Sequence, residues 1–249
     1  MDLLFVFTLG IVVGALVNRL GADLPARRPI QRPNCPYCDA PRPVIQWIAL
    51  PTYVVGKGRC PNCDATIPIR YPLAELALGF LFTFLYMRYG ATPQFTFYAL
   101  YTTILVLITI TDLERRLILN VVTFPAMVLA LVGSFFVPGI TWKSALLGGA
   151  IGYVTFYILA LVGNLSVGPG ALGGGDVTLA AFVGMITGFP LVVEALLLAI
   201  LSGGIISLLL VLTKVRSMRD YIPYGPFLVL GGWVTLIWGV QIGIWFFAR

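Results

Sequence analysis

Histidine is absent from this chain of 249 residues, and charged side chains are scarce. Without histidine, the chain lacks the most common general base, the Ser–His and Cys–His nucleophile pairs and every His-ligated metal site. Any catalysis must therefore rest on carboxylates, Cys, Lys, Tyr or a cofactor. Charged residues make up 10% of the chain and hydrophobic residues 59%, and the mean hydropathy is +0.96. These values exclude an ordinary soluble domain and predict a polytopic membrane protein.

Long apolar runs recur along the chain, and about 20 apolar residues in a helix cross ~30 Å of hydrocarbon. Eight spans are predicted, at 3–20, 73–89, 95–111, 119–137, 144–162, 177–187, 191–212 and 227–247. The first resembles a signal peptide, but Asp2 replaces the usual basic start and no small-residue cleavage site follows, so we expect it to be retained. The predicted fold class is all-α, with about eight transmembrane helices.

Basic residues concentrate in three of the polar segments between these spans. They are Arg27, Arg28, Arg32, Arg42, Lys57, Arg59 and Arg70 before span two, Arg115 and Arg116 after span three, and Lys214, Arg216 and Arg219 before span eight. The other side holds Arg88, Lys143 and Arg249. Because cytoplasmic loops are enriched in Lys and Arg, the three segments are predicted to be cytoplasmic and both termini to lie outside. The net charge of +6 thus indicates topology and attraction to the lipid bilayer, not nucleic acid.

All four cysteines lie in the large polar segment 21–72, as the pairs Cys35/Cys38 and Cys60/Cys63. Two C-x-x-C pairs with such a spacing suit a tetrahedral four-cysteine zinc site. Redox pairs or buried thiols are the alternatives, and a disulfide framework is not expected in a reducing compartment. Four thiolates fill the coordination sphere, so the zinc would be structural and would help a small segment to fold. We therefore expect three parts: helix 1–20, a cytoplasmic zinc domain 21–72 and a membrane domain 73–249.

Two carboxylates, Asp112 and Asp176, lie at predicted ends of membrane spans, where an ionisable group is costly. The loop charges place both at the cytoplasmic face. Asp112 could be a solvated interfacial residue, and Asp176 could be only the N-cap of span six. Gly173, Gly174 and Gly175 precede Asp176, and glycines permit positive φ angles and a close approach of the backbone to a ligand or helix.

If Asp112 and Asp176 face each other, they can share one proton. Because two adjacent carboxylates repel each other when both are charged, the pair loses its two protons at well-separated pKa values. Between these values one carboxylate is ionised and can act as a base, while the other is protonated and can act as an acid. The ionised member would deprotonate a water while the protonated member polarises a scissile carbonyl. This is the mechanism of aspartic proteases, and it requires neither histidine nor a metal ion.

Motifs along nearly the whole chain resemble, in the same order, those of the type IV prepilin leader peptidases, polytopic aspartyl proteases of the G-x-G-D class. The matching segments are 14–18, the two C-P-x-C pairs with 58–60, then 70–75, 111–120, 173–176 and 223–227. The chain departs from the family pattern at Leu119, where the family often has Pro, and at Thr178, where it commonly has Lys.

The resemblance implies an endopeptidase that removes the basic leader of prepilins or pseudopilins at the cytoplasmic face of the inner membrane. Asp112 and Asp176 would be its catalytic residues. It also implies N-methylation of the new N-terminus with S-adenosylmethionine as donor; Glu75 is a candidate contact there, or else an interfacial helix-start charge. The main alternative is a non-enzymatic transporter or assembly scaffold, although transporters place polar groups nearer mid-membrane. An aspartyl intramembrane protease with unrelated substrates is a third possibility.

Overall fold

The computed structural model describes residues 2–27, 34–35, 37–41, 46–56, 58–166, 168, 172–215 and 223–247. Within them lie nine α-helices: α1 Leu3–Asp23, α2 Ala49–Gly56, α3 Arg70–Tyr89, α4 Pro93–Arg115, α5 Asn120–Gly133, α6 Trp142–Ser166, α7 Gly174–Thr187, α8 Leu191–Leu212 and α9 Gly225–Phe247. The described residues contain no strand beyond two isolated bridges. Some of the basic residues that set the predicted topology lie outside the described residues: Arg28, Arg32, Arg42, Lys57, Arg216, Arg219 and Arg249.

Every helix except α2 overlaps one of the eight predicted spans. Five of them, α1, α4, α6, α8 and α9, are long and apolar enough to cross a membrane, and α5 and α7 are shorter apolar helices of 14 residues each. The remaining helix, α3, carries Arg70, Glu75 and Arg88. The chain is thus an all-helical, multi-pass membrane protein with five helices of full spanning length in its described part.

The chain divides into two compact units, Met1–Ile110 and Thr111–Arg249, and the division falls inside α4. In the first unit, α1 packs directly on α3 through glycines. A Cβ on Gly14 would lie 2.6 Å from Cα of Glu75, and one on Gly10 would lie 2.7 Å from Cα of Gly79. One turn further along α1, Asn18 donates a side-chain hydrogen bond to the carbonyl of Tyr71, 2.9 Å away. Small residues at a helix contact let the two backbones approach closely, as is common in membranes.

In the second unit, α7 packs against four helices: α5, α6, α8 and α9. From Asp176 to Thr187, all of its residues except Thr178 are buried. Gly148 and Gly152 of α6 face α7 so closely that a Cβ on either would collide with the carbonyl of Gly184 or Ala180. A helix of 14 residues is only about 21 Å long, which is less than the hydrocarbon thickness. Its neighbours enclose it from Asp176 to Thr187, whereas its first residue, Gly174, is exposed.

Candidate active site and metal centre

Asp176 lies at the third position of α7, which begins at Gly174, three residues before the predicted span. Gly173 occupies the N-cap position, so the interpretation of Asp176 as the N-cap is wrong. The Asp176 carboxylate turns back instead, and its Oδ2 accepts the N–H of Gly173 at 3.2 Å. A carboxylate at this position satisfies one of the free N–H groups at the helix start and is favoured by the helix dipole. The residue is nevertheless 4% exposed, so this charge is held in a protein interior.

The three glycines before Asp176 differ in their surroundings. None of them has a positive φ angle, contrary to the expectation from sequence. A Cβ on Gly175 would lie 2.7 Å from Cβ of Ile118, whereas a Cβ on Gly174 would meet no atom within 4 Å. The close approach at Gly175 is therefore to Ile118 of the chain itself, in the segment between α4 and α5.

Asp112 lies in the last turn of α4 and is 3% exposed. Its Oδ2 accepts the backbone N–H of Gly225, the first residue of α9, at 3.0 Å. A Cβ on Gly225 would lie 2.5 Å from the same oxygen, so only glycine leaves room for this hydrogen bond. Like Asp176, Asp112 thus receives an N–H from the start of a helix, where the dipole favours negative charge.

The structure brings the two predicted carboxylates together. The segment that follows Asp112 packs on the start of α7: a Cβ on Gly175 would lie 2.7 Å from Cβ of Ile118, and the Thr178 hydroxyl is 3.1 Å from Oδ1 of Asn120. This packing brings Asp112 close enough to Asp176 for the two carboxylates to influence each other electrostatically, although 64 residues separate them in sequence. Each of the pair uses Oδ2 to accept one backbone N–H. Two buried carboxylates that interact in this way can share a proton, which is the arrangement that acid–base catalysis by a dyad needs.

Two further side chains lie near Asp176: Tyr224, whose pKa its charge affects, and Thr178, two residues later on α7. Tyr224 precedes α9 and contacts the ring of Phe156, with centroids 5.7 Å apart. Burial, with a smaller effect from the charge of Asp176, raises the pKa of Tyr224 to about 12. Thr178 lies one turn after Gly175, and its hydroxyl is 3.1 Å from Oδ1 of Asn120, the first residue of α5. At the position where the family commonly has Lys, this chain thus has an uncharged side chain that connects α7 to α5 by a hydrogen bond.

The four cysteines form one cluster in the first unit, with all four Sγ atoms within 4.8 Å of one another. The Sγ atoms of Cys35 and Cys63 are 3.7 Å apart, and those of Cys38 and Cys60 are 3.9 Å apart. A tetrahedral zinc ion with Zn–S bonds of about 2.3 Å requires S···S distances of roughly 3.8 Å. The cluster therefore has the dimensions of a four-thiolate zinc site.

The two halves of this cluster are built alike. In each, the N–H of the first cysteine donates to the carbonyl of an alanine five residues later, at 2.9 Å for both Cys35 to Ala40 and Cys60 to Ala65. In each, an aspartate one residue after the second cysteine has a positive φ, 56° at Asp39 and 55° at Asp64. The repeated turn explains why the two C-x-x-C pairs present their thiols in the same way.

The thiols of the cluster do not behave as four independent groups. The backbone N–H groups of Asn62 and Cys63 lower the pKa of the Cys60 thiol to about 6. The N–H of Ala65 favours the thiolate of Cys63, but burial and the other three thiols outweigh it and raise the pKa of Cys63 to about 12. Thiols this close cannot all ionise unless a cation lies between them, which is what zinc would provide.

Comparison with known proteins identifies the family. The model of the type IV leader peptidase family matches residues 99–208, and that of the bacterial peptidase A24 N-terminal domain matches residues 8–89. A prepilin leader peptidase/N-methyltransferase of Aeromonas salmonicida (strain A449) is 32% identical over 219 residues, covering 87% of this chain and 75% of the relative. The chain belongs to the type IV leader peptidase family.

Two further relatives carry the same name. The protein of Pseudomonas aeruginosa is 30% identical over 208 residues, with 84% of this chain and 72% of the relative covered. That of Bacillus subtilis (strain 168) is 25% identical over 244 residues, with 97% and 96% covered. No solved structure shows significant similarity to the chain. The resemblance stated from sequence motifs is confirmed.

Glu75, the candidate methyl-donor contact of this leader peptidase, is 1% exposed on α3. Its Oε1 and Oε2 accept the N–H groups of Ala49 and Leu50, each at 2.8 Å. These are the first two N–H groups of α2, which have no partner within the helix. Glu75 therefore attaches α2 to α3, and its contact with a methyl donor stays a prediction.

The attached helix in turn contacts the second cysteine turn. The hydroxyl of Tyr53 donates to the carbonyl of Ile67, and the N–H of Gly58 donates to the carbonyl of Thr52 at 3.1 Å. Glu75 and the second half of the cysteine cluster are thus connected through α2.

Sequence reasoning missed three neighbours of the site: Gly225, which donates to Asp112, Ile118, which packs on Gly175, and Tyr224, whose pKa is raised by burial and by the charge of Asp176. The segment 223–227 was recognised only as a loop motif of the family. The sequence Gly225-Pro226 at the start of an apolar run could have indicated that a helix begins here, because Pro is favoured in the first turn of a helix. Nothing in the sequence indicated that this helix start faces Asp112.

Proposed function

We propose that this leader peptidase is an aspartic endopeptidase that removes the leader of type IV prepilin-like proteins and then methylates the new N-terminus. The observation that carries the proposal is the meeting of Asp112 and Asp176, two buried carboxylates whose charges interact. No histidine in the chain can serve as an alternative base. Family membership supports the same activity.

In the proposed mechanism, the two aspartates hold one proton between them. The ionised carboxylate accepts a proton from a water, and the water oxygen attacks the scissile carbonyl carbon. The protonated carboxyl donates a hydrogen bond to the carbonyl oxygen and stabilises the charge that develops there. The N–H of Gly225 and that of Gly173 orient the two side chains by holding one oxygen of each. The other oxygen, Oδ1, is the one proposed to face water and substrate.

The proposed site lies at the cytoplasmic face of the inner membrane, and the proposed topology has eight spans with both termini outside. Lys and Arg in the segments around α2, after α4 and after α8 support this orientation. Asp112 in the last turn of α4 and Asp176 in the first turn of α7 would then lie at one depth. A prepilin or pseudopilin with a basic leader in the cytoplasm would present its cleavage site at this level.

Two bound groups are proposed. Cys35, Cys38, Cys60 and Cys63 would hold a structural zinc ion, which the sulfur distances fit. S-adenosylmethionine, when bound, would supply a methyl group to the N-terminal amine of the processed substrate, as the names of the relatives suggest. Glu75 is the proposed contact for the donor, and its two oxygens also accept hydrogen bonds from α2.

The test is processing of a prepilin by the purified full-length chain and by the Asp112→Asn and Asp176→Asn variants. We expect each variant to lose roughly 10²–10⁴-fold in cleavage rate, the range that general acid–base groups contribute. Asp23→Asn is the matched control, because the ion pair that Asp23 makes with Arg19 in the described part of the chain, 3.8 Å away on α1, contributes little. Near-normal cleavage by either dyad variant would exclude the mechanism.

Methylation is tested separately. Processed substrate is incubated with the chain and a labelled methyl donor, and the label is located by N-terminal sequencing. We expect label on the first residue of the product, and we expect Asp176→Asn to methylate substrate that has already been cleaved. A processed product without label would exclude the second activity while leaving the peptidase assignment intact.

A further inference from the structure

A large cavity lies in the second unit at the end of α7 that is farthest from Asp176. Asp176 and Thr187 are separated by 11 residues of helix, or about 17 Å. The cavity has a volume of about 1130 Å³, and its walls come from the end of α7, the start of α8 and the second half of α9. The volume far exceeds the ~30 Å³ that one water occupies. It is thus separate from the aspartate pair and large enough for a sizeable ligand.

Among the described residues that line the cavity, one carries an ionisable side chain: Glu194, in the first turn of α8. Its carboxylate rests against two glycines of α9, which lie one turn apart. A Cβ on Gly243 would be 2.8 Å from Oε1, and one on Gly239 would be 3.5 Å from Oε2. The glycines therefore provide the space that the carboxylate fills.

Oε2 of Glu194 is buried and accepts no hydrogen bond from any residue that the structure describes. The two hydroxyl groups in the wall are already engaged: Ser144 donates to the carbonyl of Phe189 at 2.7 Å, and Thr187 donates to that of Val183 at 2.9 Å. No Lys or Arg is among the described residues that line the cavity. The wall thus offers one unused charged acceptor, and a buried acceptor without a donor is costly.

Residues typical of the level of the lipid headgroups lie next to the cavity wall. Trp142, at the start of α6, is 46% exposed, and the ammonium of Lys143 lies 5.6 Å from the centroid of its ring. Trp and Lys are typical of the membrane interface, and Ser144 of the cavity wall is the next residue. Glu194 is three residues from the start of α8, so its depth is within one turn of this level.

We propose that this cavity binds a phospholipid with a primary ammonium headgroup. The ammonium donates hydrogen bonds to the Glu194 carboxylate, and an acyl chain lies on the apolar wall at Leu197 and Leu201, whose side chains are exposed. A charged donor satisfies Oε2 and compensates the carboxylate, whereas the headgroup of an anionic lipid would be repelled. A quaternary ammonium carries the same charge but has no N–H to donate.

The test uses the purified full-length chain in detergent, with dioleoyl phosphatidylethanolamine, phosphatidylcholine and phosphatidylglycerol added in equal amounts. Native mass spectrometry measures which lipid stays bound. We expect phosphatidylethanolamine to be retained at least about fivefold over the other two, and we expect Glu194→Gln to abolish that preference. A fivefold preference corresponds to about 1 kcal/mol, the net contribution of a typical hydrogen bond.

Two more variants separate the site from general lipid adhesion. Asp23→Asn removes a carboxylate that does not line the cavity, and this variant should still prefer phosphatidylethanolamine. Val193→Trp inserts a large side chain into the cavity wall and should reduce retention of all three lipids. Equal retention of phosphatidylethanolamine and phosphatidylcholine, a preference for phosphatidylglycerol, or an unchanged preference in Glu194→Gln would each overturn the proposal. Prepilin processing by each variant verifies that the chain is folded.

Discussion

The backbone N–H of Gly225 donates to Oδ2 of Asp112 over 3.0 Å, although the two residues are 113 positions apart in sequence. The bond joins the last turn of α4 to the first residue of α9. It gives the carboxylate a fixed orientation inside the protein and places it at the positive end of a helix dipole. One carboxylate of the proposed dyad is therefore positioned by the family motif at 223–227.

Substitution of Gly225 by alanine should displace Asp112. The added Cβ would lie 2.5 Å from Oδ2, closer than any real Cβ contact, so the carboxylate must move and lose its hydrogen bond. We expect cleavage of a prepilin to fall by roughly 10²-fold, the cost of misplacing a catalytic group by about 1 Å. Steady-state kinetics on the purified variant measures this. A rise in KM alone, with kcat unchanged, would contradict the positioning role.

Gly174 and Gly175 form a matched pair for the question of why glycines precede Asp176. Gly174→Ala meets no atom within 4 Å and should be neutral or slightly stabilising, because alanine is the better helix former. Gly175→Ala meets Cβ of Ile118 at 2.7 Å and should cost about 1–3 kcal/mol, the usual range for overpacking. Thermal inactivation of cleavage compares the two variants. If Gly174→Ala were the more harmful, the glycines would serve substrate approach instead of packing on Ile118.

Glu75→Gln should loosen α2 without unfolding α3. Both carboxylate oxygens accept N–H groups at 2.8 Å, and glutamine offers one oxygen and turns an N–H₂ towards the other donor. Losing a hydrogen bond to a charged acceptor costs about 1.5–3 kcal/mol. Hydrogen exchange at the amides of Ala49 and Leu50 should accelerate by roughly 10–100-fold, whereas Asp23→Asn should leave them unchanged. Equal protection in Glu75→Gln and in the native chain would refute the attachment.

The cysteine cluster should contain one zinc ion per chain. Cys38→Ser should remove it, because a tetrahedral site with three thiolates binds zinc more weakly. Tyr37→Phe is the control within the same turn, since the Tyr37 side chain is exposed and ligates nothing in the proposed site. Elemental analysis of purified protein gives the metal content. Absence of zinc from the native chain, or full content in Cys38→Ser, would contradict the site.

Some features follow from local sequence because their physical cause is local. Hydropathy over about 20 residues reflects the cost of placing backbone and side chains in lipid, so the apolar helices could be located from the sequence alone. The spacing of Cys35/Cys38 and Cys60/Cys63 indicates a turn that closes within eight residues, and each pair forms the same turn in the structure. The absence of histidine excluded the most common general base, and loop charges suggested that Asp112 and Asp176 share one face.

Other expectations needed correction because local patterns do not specify the neighbours of a residue. The sixth span was predicted to begin at Val177, but α7 begins at Gly174 and includes Asp176 in its first turn. Gly173, Gly174 and Gly175 were expected to use positive φ angles, yet Gly175 is constrained by Ile118. At Leu119, where the family often has Pro, φ is −83° and ψ is 114°, a backbone conformation close to the one that Pro favours.

By itself, the sequence determined a multi-pass helical protein, a family, four metal-ligating candidates and two candidate carboxylates. Only the tertiary structure decided that Asp112 lies against Gly225, that Asp176 turns back on Gly173, and that Glu75 holds α2. These relationships join residues that lie on different helices or on opposite sides of a helix start. These contacts form because of the way the helices pack against one another. The periodicity and spacing of residues within a single helix do not determine which helix end will face a given carboxylate.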